Sequence, residues 1–402
     1  MRVMLVAGAR PNFMKVAPLV PALERAGHEI VLVHTGQHYD AQMSGSFFQD
    51  LGLPAPQHSL GAGSGTHAVQ TARVMQAFEP VLLDERPDWV VVPGDVNSTL
   101  GCALVTVKLK GDLGARLAHL EAGLRSHDWR MPEEVNRVLT DRCSDLLLTP
   151  STDAAANLHA EGLTSDRIAF VGNLMIDSLF AHLPRARGLG LLAESGLSRG
   201  RYVAATLHRP SNVDHGPALR VFLEALGRIA EHLPVVLPLH PRTRASVTRW
   251  GLDPLLAPLR VCEPLGYTEM LSLTDGAAAV LTDSGGLQEE TSALGIPCVT
   301  LREQTERPVT IQHGTNRLVP WPPTVDGICA TLGRALAAGR DPRPCRIEGW
   351  DGRAAARVVA ALESASESVV EPHETLSRTR NECVPAAHYH NRDDVRQSIA
   401  AD

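Results

Sequence analysis

Short apolar runs alternate with amphipathic stretches along most of the chain, and no run is longer than a single pass through a sheet requires. Residues 2–6, 29–35, 89–92, 116–120, 146–149 and 168–171 read as strands. Between them, residues 66–83, 97–110 and 132–143 carry helical spacing, the last opening on Pro132-Glu133-Glu134. Pro11 suits a first helical position, so a helix through Val16, Leu19, Val20 and Leu23 is expected to run to Gly27, kinked by Pro18 and Pro21. A bend is expected at Pro80 as well. A second series of strands follows at 202–207, 235–239, 277–281 and 297–301, with a helix at 287–294 closed by Gly295. Alternation of this kind predicts parallel sheets covered by helices on both faces, an α/β fold of two Rossmann-like doubly wound domains with a cleft between them. The first domain is expected over residues 1–172 and the second over 173–350, with the crossing in 173–190. An Ala-rich helix at 352–365 is expected to pack back on the first domain, and residues 366–402, polar and without a period, read as a mobile tail.

Composition narrows the class. A chain of 402 residues has room for two domains, each with its own core, and 44% hydrophobic with 4% aromatic residues is ordinary for an α/β protein. A net charge of −7 and no basic block argue against a nucleic-acid partner. No apolar run approaches the roughly 20 residues that span a bilayer, and the N-terminal run stops at Gly8, too short for a signal peptide. The seven cysteines are scattered and never form a C-x-x-C pair, which suggests free thiols in a cytoplasmic protein and no cysteine-based zinc site.

In open α/β sheets ligands sit outside the carboxyl ends of the strands, so the tips to inspect are 8–15, 36–39, 94–99, 119–125, 208–212, 240–244 and 283–290. The stretch from Leu281 to Glu290 joins a strand to a helix through Asp283-Ser284-Gly285-Gly286, bringing free N–H groups and the positive end of a helix dipole to one spot. Such a turn suits a phosphate, and the acidic residues after it could hold a ribose diol; it is also a common tight turn. Arg10, Lys15, Asp95, Glu121, Glu133, Glu134 and His208 gather at the other tips. Singly each reads as a surface charge, and together as acid–base chemistry on a phosphate-bearing substrate. His119 lacks a second ligand at metal spacing and reads as a core histidine; no metal site is expected. Gln37-His38-Tyr39 can be a solvated loop, and His240-Pro241-Arg242-Thr243-Arg244 either touches an anion or ties a sheet edge.

These stretches resemble, in order, the motifs of the non-hydrolysing UDP-N-acetylglucosamine 2-epimerases. The matching pieces are Gly8-Ala9-Arg10-Pro11 with Lys15, Thr35-Gly36-Gln37-His38, Gly94-Asp95-Val96-Asn97-Ser98-Thr99, His119 to Arg125, Pro132 to Arg137, Thr206-Leu207-His208-Arg209, Asp283 to Glu290 and Thr305-Glu306-Arg307-Pro308. The resemblance implies domains of the glycosyltransferase B type with UDP held mainly by the second, a homodimer, and no nicotinamide or other cofactor. It implies inversion at C2 of UDP-N-acetylglucosamine, through anti elimination of UDP and re-addition. By the same resemblance Asp95, Glu121 and Glu133 are the acid–base set, with His208, Arg10 and Lys15 stabilising the departing diphosphate. Ser284, Gly285 and Gly286 would hold phosphate and Glu290 the ribose, with His38, Arg137, Tyr267 and Arg307 completing the substrate-binding residues.

Two departures qualify the match. Pro210-Ser211-Asn212 follows Arg209 where the family often has a glutamate, and residues 39–43 match only partly the site at which a second UDP-N-acetylglucosamine activates some bacterial members. Weak or absent regulation is therefore expected. Residues 238–244 and 266–270 resemble instead the epimerases of UDP-2,3-diacetamido-2,3-dideoxy-glucuronic acid, whereas 305–308 fits the N-acetylglucosamine enzymes better. A UDP-sugar glycosyltransferase of the same fold and a sugar-nucleotide-binding protein without catalysis are further alternatives.

Overall fold

A computed structural model describes residues 1–37, 50–341 and 346–367, the Arg10 side chain excepted, and in it the apolar runs form two parallel sheets. The first holds β1 (Arg2–Ala7), β2 (Glu29–His34), β3 (His58–Ser59), β4 (Trp89–Pro93), β5 (Arg116–Leu120), β6 (Leu146–Thr149) and β7 (Ile168–Phe170), in the order β3-β2-β1-β4-β5-β6-β7. The second holds β8 (Val203–Thr206), β9 (Val235–Pro238), β10 (Arg260–Cys262), β11 (Ala279–Thr282), β12 (Cys298–Thr300) and β13 (Asn316–Leu318), in the order β10-β9-β8-β11-β12-β13. The expected α/β class with two doubly wound sheets is what the chain forms.

In each sheet the winding reverses once. The chain leaves β1 toward β2 on one side and leaves β4 toward β5 on the other, so a crevice opens between the tips of β1 and β4. The same reversal between β8 and β11 opens a second crevice. The tips that carry Lys15, Asp95, His208 and Ser284 are those four.

Alternation across the sheet explains why the strands read as continuous apolar runs. Val3, Leu5 and Ala7 pack with the helices at Arg10–Val16, Leu174–Gly188 and Ala354–Glu367, while Met4 and Val6 pack on the other face with Val74, Phe78 and Cys102. Both faces are dry, so neither could be polar.

The expected kinked helix from Pro11 is instead two helices, Arg10–Val16 and Leu19–Arg25. Pro18 has no N–H to continue the first ladder and its ring crowds the preceding turn, so the helix stops there. Pro21 lies in the first turn of the second helix, where N–H groups have no intrahelical acceptor anyway, and it is tolerated. Pro80 stays inside one helix, His67–Glu85.

The chain crosses between the sheets in the helix Leu174–Gly188 and returns before Ala354–Glu367, and the two crossings are tied together. Asp177 accepts the Ala354 and Ala355 N–H groups at 3.0 and 2.8 Å, capping the returning helix. Arg357 reaches back to the Val171 carbonyl at 2.6 Å, and Trp350 donates to the Pro150 carbonyl at 3.0 Å. Residues 368–402, expected to be a tail, lie outside the described residues.

Candidate active site

The second sheet supplies one wall of the site. Ser284 precedes the helix Gly285–Leu294, whose free N–H groups point out of the β11 tip. A cavity of about 360 Å³ opens there, lined by Ser284, Gly286, Glu290, Tyr267, His208 and His240, together with apolar side chains such as Leu265 and Met270. Polar and apolar side chains in one cavity beside a helix N-terminus suit a ligand that carries both a phosphate and a flat base. Pro11, Met14 and Met175 close the cavity from the first sheet's side.

Asp283, fully buried at the β11 tip, organises this wall. Its carboxylate accepts the backbone N–H groups of His208 and Arg209, at 3.0 and 2.9 Å, and meets His208 Nδ1 at 2.8 Å. Burial alone would raise its pKa. The His208 bond and charge and the two N–H donors outweigh burial and hold the carboxyl below its usual range. An ionised Asp283 therefore fixes the ring of His208, which remains exposed to the cavity. Tyr267 and Glu290 are neighbours in the same cavity, and burial together with the Glu290 charge raises the Tyr267 hydroxyl well above its ordinary pKa.

The first sheet supplies the ionisable groups. Lys15, on the first helix after β1, meets Glu121, just after β5, at 2.5 Å, both side chains 7% exposed. Glu121 holds a left-handed backbone, φ 65°, uncommon for a residue with a side chain and costly unless surrounding structure enforces it. Gly94 turns the chain beside them at φ 68°, and a Cβ there would lie 2.9 Å from Lys15 Nζ, so the approach of the lysine needs glycine. Beneath that turn His119 is wholly buried between Asp141, at 2.6 Å, and the Gly94 carbonyl, at 2.7 Å. It braces the loop, and among the described residues no cluster with metal-ligand character occurs.

Asp95 pairs with Arg137, which also pairs with Glu134. Burial tends to raise the Asp95 pKa, but the charges of Arg137 and Lys15 prevail and keep it low. Glu134 is committed to structure: it accepts Ser126 N–H at 3.0 Å and His127 N–H at 2.8 Å, orienting the loop before its own helix. Glu133 is turned instead toward a hollow of about 330 Å³ that Asp95, Gln37, His67 and Asn97 also line. Gln37 is a buried strut rather than a solvated loop residue, accepting from Ser98 N–H and hydroxyl at 3.0 and 2.7 Å.

Arg307 is anchored on the second sheet's side, and its charge is felt by carboxyls of the first. Its Nε donates to Glu289 at 2.7 Å, and its guanidinium lies so close to Gly285 that a Cβ there would sit 2.7 Å from Nη1. The charges of Glu121, Glu289 and Glu306 raise its pKa against burial, and it acts in turn on Asp95.

Thus Lys15 with Glu121, Asp95 with Arg137, and Arg307 with Gly285 are direct neighbours, and Tyr267, His208, Ser284, Gly286 and Glu290 line one cavity. Glu133 faces the adjoining hollow. His38 and residues 39–43 lie outside the described residues, as does the Arg10 side chain. Asp283, Glu289 and Glu134 were not singled out for these roles; the first two stand within the Asp283 to Glu290 stretch, each beside a residue that was.

Comparison with known proteins adds to this geometry. The family model described as UDP-N-acetylglucosamine 2-epimerase matches residues 21–363. A UDP-N-acetylglucosamine 2-epimerase of Methanocaldococcus jannaschii is 41% identical over 327 residues, 79% of this chain and 88% of that one. A crystal structure of a UDP-GlcNAc 2-epimerase from the same organism, in complex with UDP-GlcNAc and UDP, superposes with a TM-score of 0.82 at 38% identity, covering 90% of this chain and all of that one. A UDP-2,3-diacetamido-2,3-dideoxy-D-glucuronate 2-epimerase of Pseudomonas aeruginosa is 44% identical over 324 residues, 79% of this chain and 88% of that one. A spinosyn rhamnosyltransferase, 16% identical with a TM-score of 0.50 over 91% of this chain and 96% of that one, shares the glycosyltransferase-like fold alone.

Proposed function

Because this chain belongs to the UDP-N-acetylglucosamine 2-epimerase family, and is thereby an isomerase acting on a nucleotide sugar, we propose that it inverts C2 of UDP-N-acetylglucosamine to give UDP-N-acetylmannosamine. The observation that carries the reading is the pairing of a phosphate-suited turn on one sheet with the Lys15–Glu121 and Asp95–Arg137 pairs on the other.

In this reading the base of UDP lies in the apolar slot beside Tyr267, the ribose on Glu290, and the diphosphate at the N-terminus of Gly285–Leu294. The C2 proton is a poor acid, so a carboxylate of the set Asp95, Glu121 and Glu133 removes it while the C1–O bond to UDP breaks and a C1–C2 double bond forms. A second carboxyl returns a proton to the opposite face, and UDP adds back at C1. His208, Lys15, Arg10 and Arg307 offset the negative charge that develops on the leaving diphosphate. The protein is proposed to work as a homodimer in the cytoplasm; among the described residues no helix is long and apolar enough to cross a membrane.

Incubation with UDP-N-acetylglucosamine in heavy water without an acceptor tests the reading. Deuterium should enter C2; its absence with this sugar nucleotide and with the uronate below would reject epimerisation in favour of transfer to an acceptor. A second substrate, UDP-2,3-diacetamido-2,3-dideoxy-glucuronic acid, is favoured by the 44% identity to the Pseudomonas aeruginosa enzyme. Turnover of the uronate alone would replace the first choice with it.

A further inference from the structure

Asp141 lies on the helix Pro132–Cys143, which also carries Glu133, and no step above uses it. Its side chain and that of His119 are wholly buried. Asp141 Oδ1 meets His119 Nδ1 at 2.6 Å, while Oδ2 accepts the Gly123 N–H at 3.1 Å and meets the Arg125 guanidinium at 2.7 Å. On its other side His119 Nε2 meets the Gly94 carbonyl at 2.7 Å.

These contacts gather the segments that carry the whole acid–base set. Asp95 follows Gly94 directly, Glu121 stands between His119 and Gly123, and Glu133 shares the helix of Asp141. Glu121 keeps its left-handed backbone, φ 65°, in the stretch pinned at one end by His119 and at the other by Gly123.

The partners also fix the state of the ring. A carbonyl oxygen has no hydrogen to give, so Nε2 must donate to Gly94. The hydrogen along the 2.6 Å contact belongs either to Nδ1 or to Asp141. An imidazole nitrogen is a stronger base than a carboxylate, and Arg125 with the Gly123 N–H weakens this carboxylate further. Burial would raise the Asp141 pKa, but the charges and hydrogen bonds of His119 and Arg125 outweigh it and hold the carboxyl below its usual range. Both ring nitrogens therefore carry hydrogen. A ring with a single N–H would set a bare lone pair against one of the two acceptors.

We propose that His119 is a positioning residue that donates from both ring nitrogens and, with Asp141, locks the Asp95 turn, the Glu121 turn and the Glu133 helix in register for proton transfer at the sugar. Its effect on turnover rests on the epimerase reading; its double-donor state does not. Being wholly buried, it acts through the backbone it holds and touches no substrate.

Nitrogen NMR of labelled histidine rings, in mildly alkaline solution where a solvent-facing imidazole is neutral, should show a ring with both nitrogens protonated. Asp141→Asn can keep every contact by turning its amide, Nδ2 donating to a His119 Nδ1 without hydrogen and Oδ1 accepting from Gly123 and Arg125. It should fold, keep most of kcat and convert that ring to one with a bare nitrogen, which also assigns the signal. His119→Asn reaches only as far as Nδ1 does and His119→Gln only as far as Nε2, so each keeps one contact and loses the other. In both, kcat should fall on the order of a hundredfold, the effect of misplacing reacting groups by about 1 Å, with KM and UDP affinity unchanged. Wild-type kcat in both His119 variants would overturn the positioning role, as would a parallel loss of UDP affinity, or a loss in Asp141→Asn as deep as theirs. A bare ring nitrogen on His119 in the wild type would overturn the double-donor state, and that spectrum decides even where neither His119 variant folds. Absence of turnover of both sugar nucleotides by the wild type would instead overturn the epimerase reading and leave the state of the ring standing.

Discussion

Lys15 Nζ lies 2.5 Å from Glu121 Oε2 in a pocket almost closed to water, and each leaves the other as its main compensation there. Replacing Glu121 with Gln keeps the side chain's shape and a hydrogen-bond acceptor for Lys15 while removing its ability to carry a proton. Turnover is expected to fall on the order of a hundredfold or more, with UDP affinity by calorimetry close to wild type. Equal loss of turnover and UDP affinity would assign Glu121 to folding the β5 tip, where its φ of 65° already marks a constrained backbone.

Asp95 is held ionised chiefly by Arg137, with Lys15 helping, in opposition to burial. A carboxylate whose pKa is depressed in the folded protein stays charged until the pH falls through that low value, so activity that needs it should persist well into mild acid. Arg137→Met removes the first of these cations, and the acid limb of the kcat/KM profile should move to higher pH. Asp95→Asn should abolish turnover yet leave UDP binding nearly intact. An acid limb unmoved in Arg137→Met would separate that limb from Asp95.

Much of this was legible because the fold is written in apolar runs and the chemistry in the residues just after them. Central strands such as Trp89–Pro93 and Leu146–Thr149 are buried on both faces and carry a pattern no surface segment would. The strands His58–Ser59, Arg260–Cys262 and Asn316–Leu318 went unread: each is two or three residues long, partly polar and at the edge of its sheet, where one side is free of the ladder. The candidate site was legible residue by residue but its wiring was not. Glu133 and Glu134 read alike as acids at a helix start, yet Glu134 is taken up by Ser126, His127 and Arg137. Only tertiary contacts separate the two, and the same holds for Asp283 behind His208.

Gly285 offers a test of where Arg307 must stand. A methyl group there would fall 2.7 Å from Arg307 Nη1, at the movable end of a long side chain. Gly285→Ala should therefore fold, with a melting temperature near wild type, while Arg307 swings away from Glu289 and from the phosphate turn. UDP affinity is expected to weaken by about 1.5–3 kcal/mol, the scale of a lost hydrogen bond to a charged group. Unchanged UDP affinity and turnover would show that Arg307 is not needed where it stands.

Asp275 concerns stability rather than chemistry. It is 1% exposed and receives three arginines from separate segments: Arg187 at 2.9 Å from the end of the crossing helix, Arg340 at 3.0 Å, and Arg199. Burial would raise its pKa, but the hydrogen bonds of Arg187, Arg199 and Arg340 reverse this and take the carboxyl far below its ordinary range. Unfolded, the group titrates near about 3.9. Its contribution is therefore complete above that pH and is lost as the pH falls toward the folded value. Asp275→Asn should lower unfolding free energy at pH 7 by about 2–4 kcal/mol, somewhat less than a wholly buried pair because the arginines are themselves 37–50% exposed. The gap between variant and wild type in urea midpoint should narrow when the measurement is repeated near pH 3. A gap that stays constant across that range would mean the carboxylate's charge is not what ties the crossing helix to the second sheet.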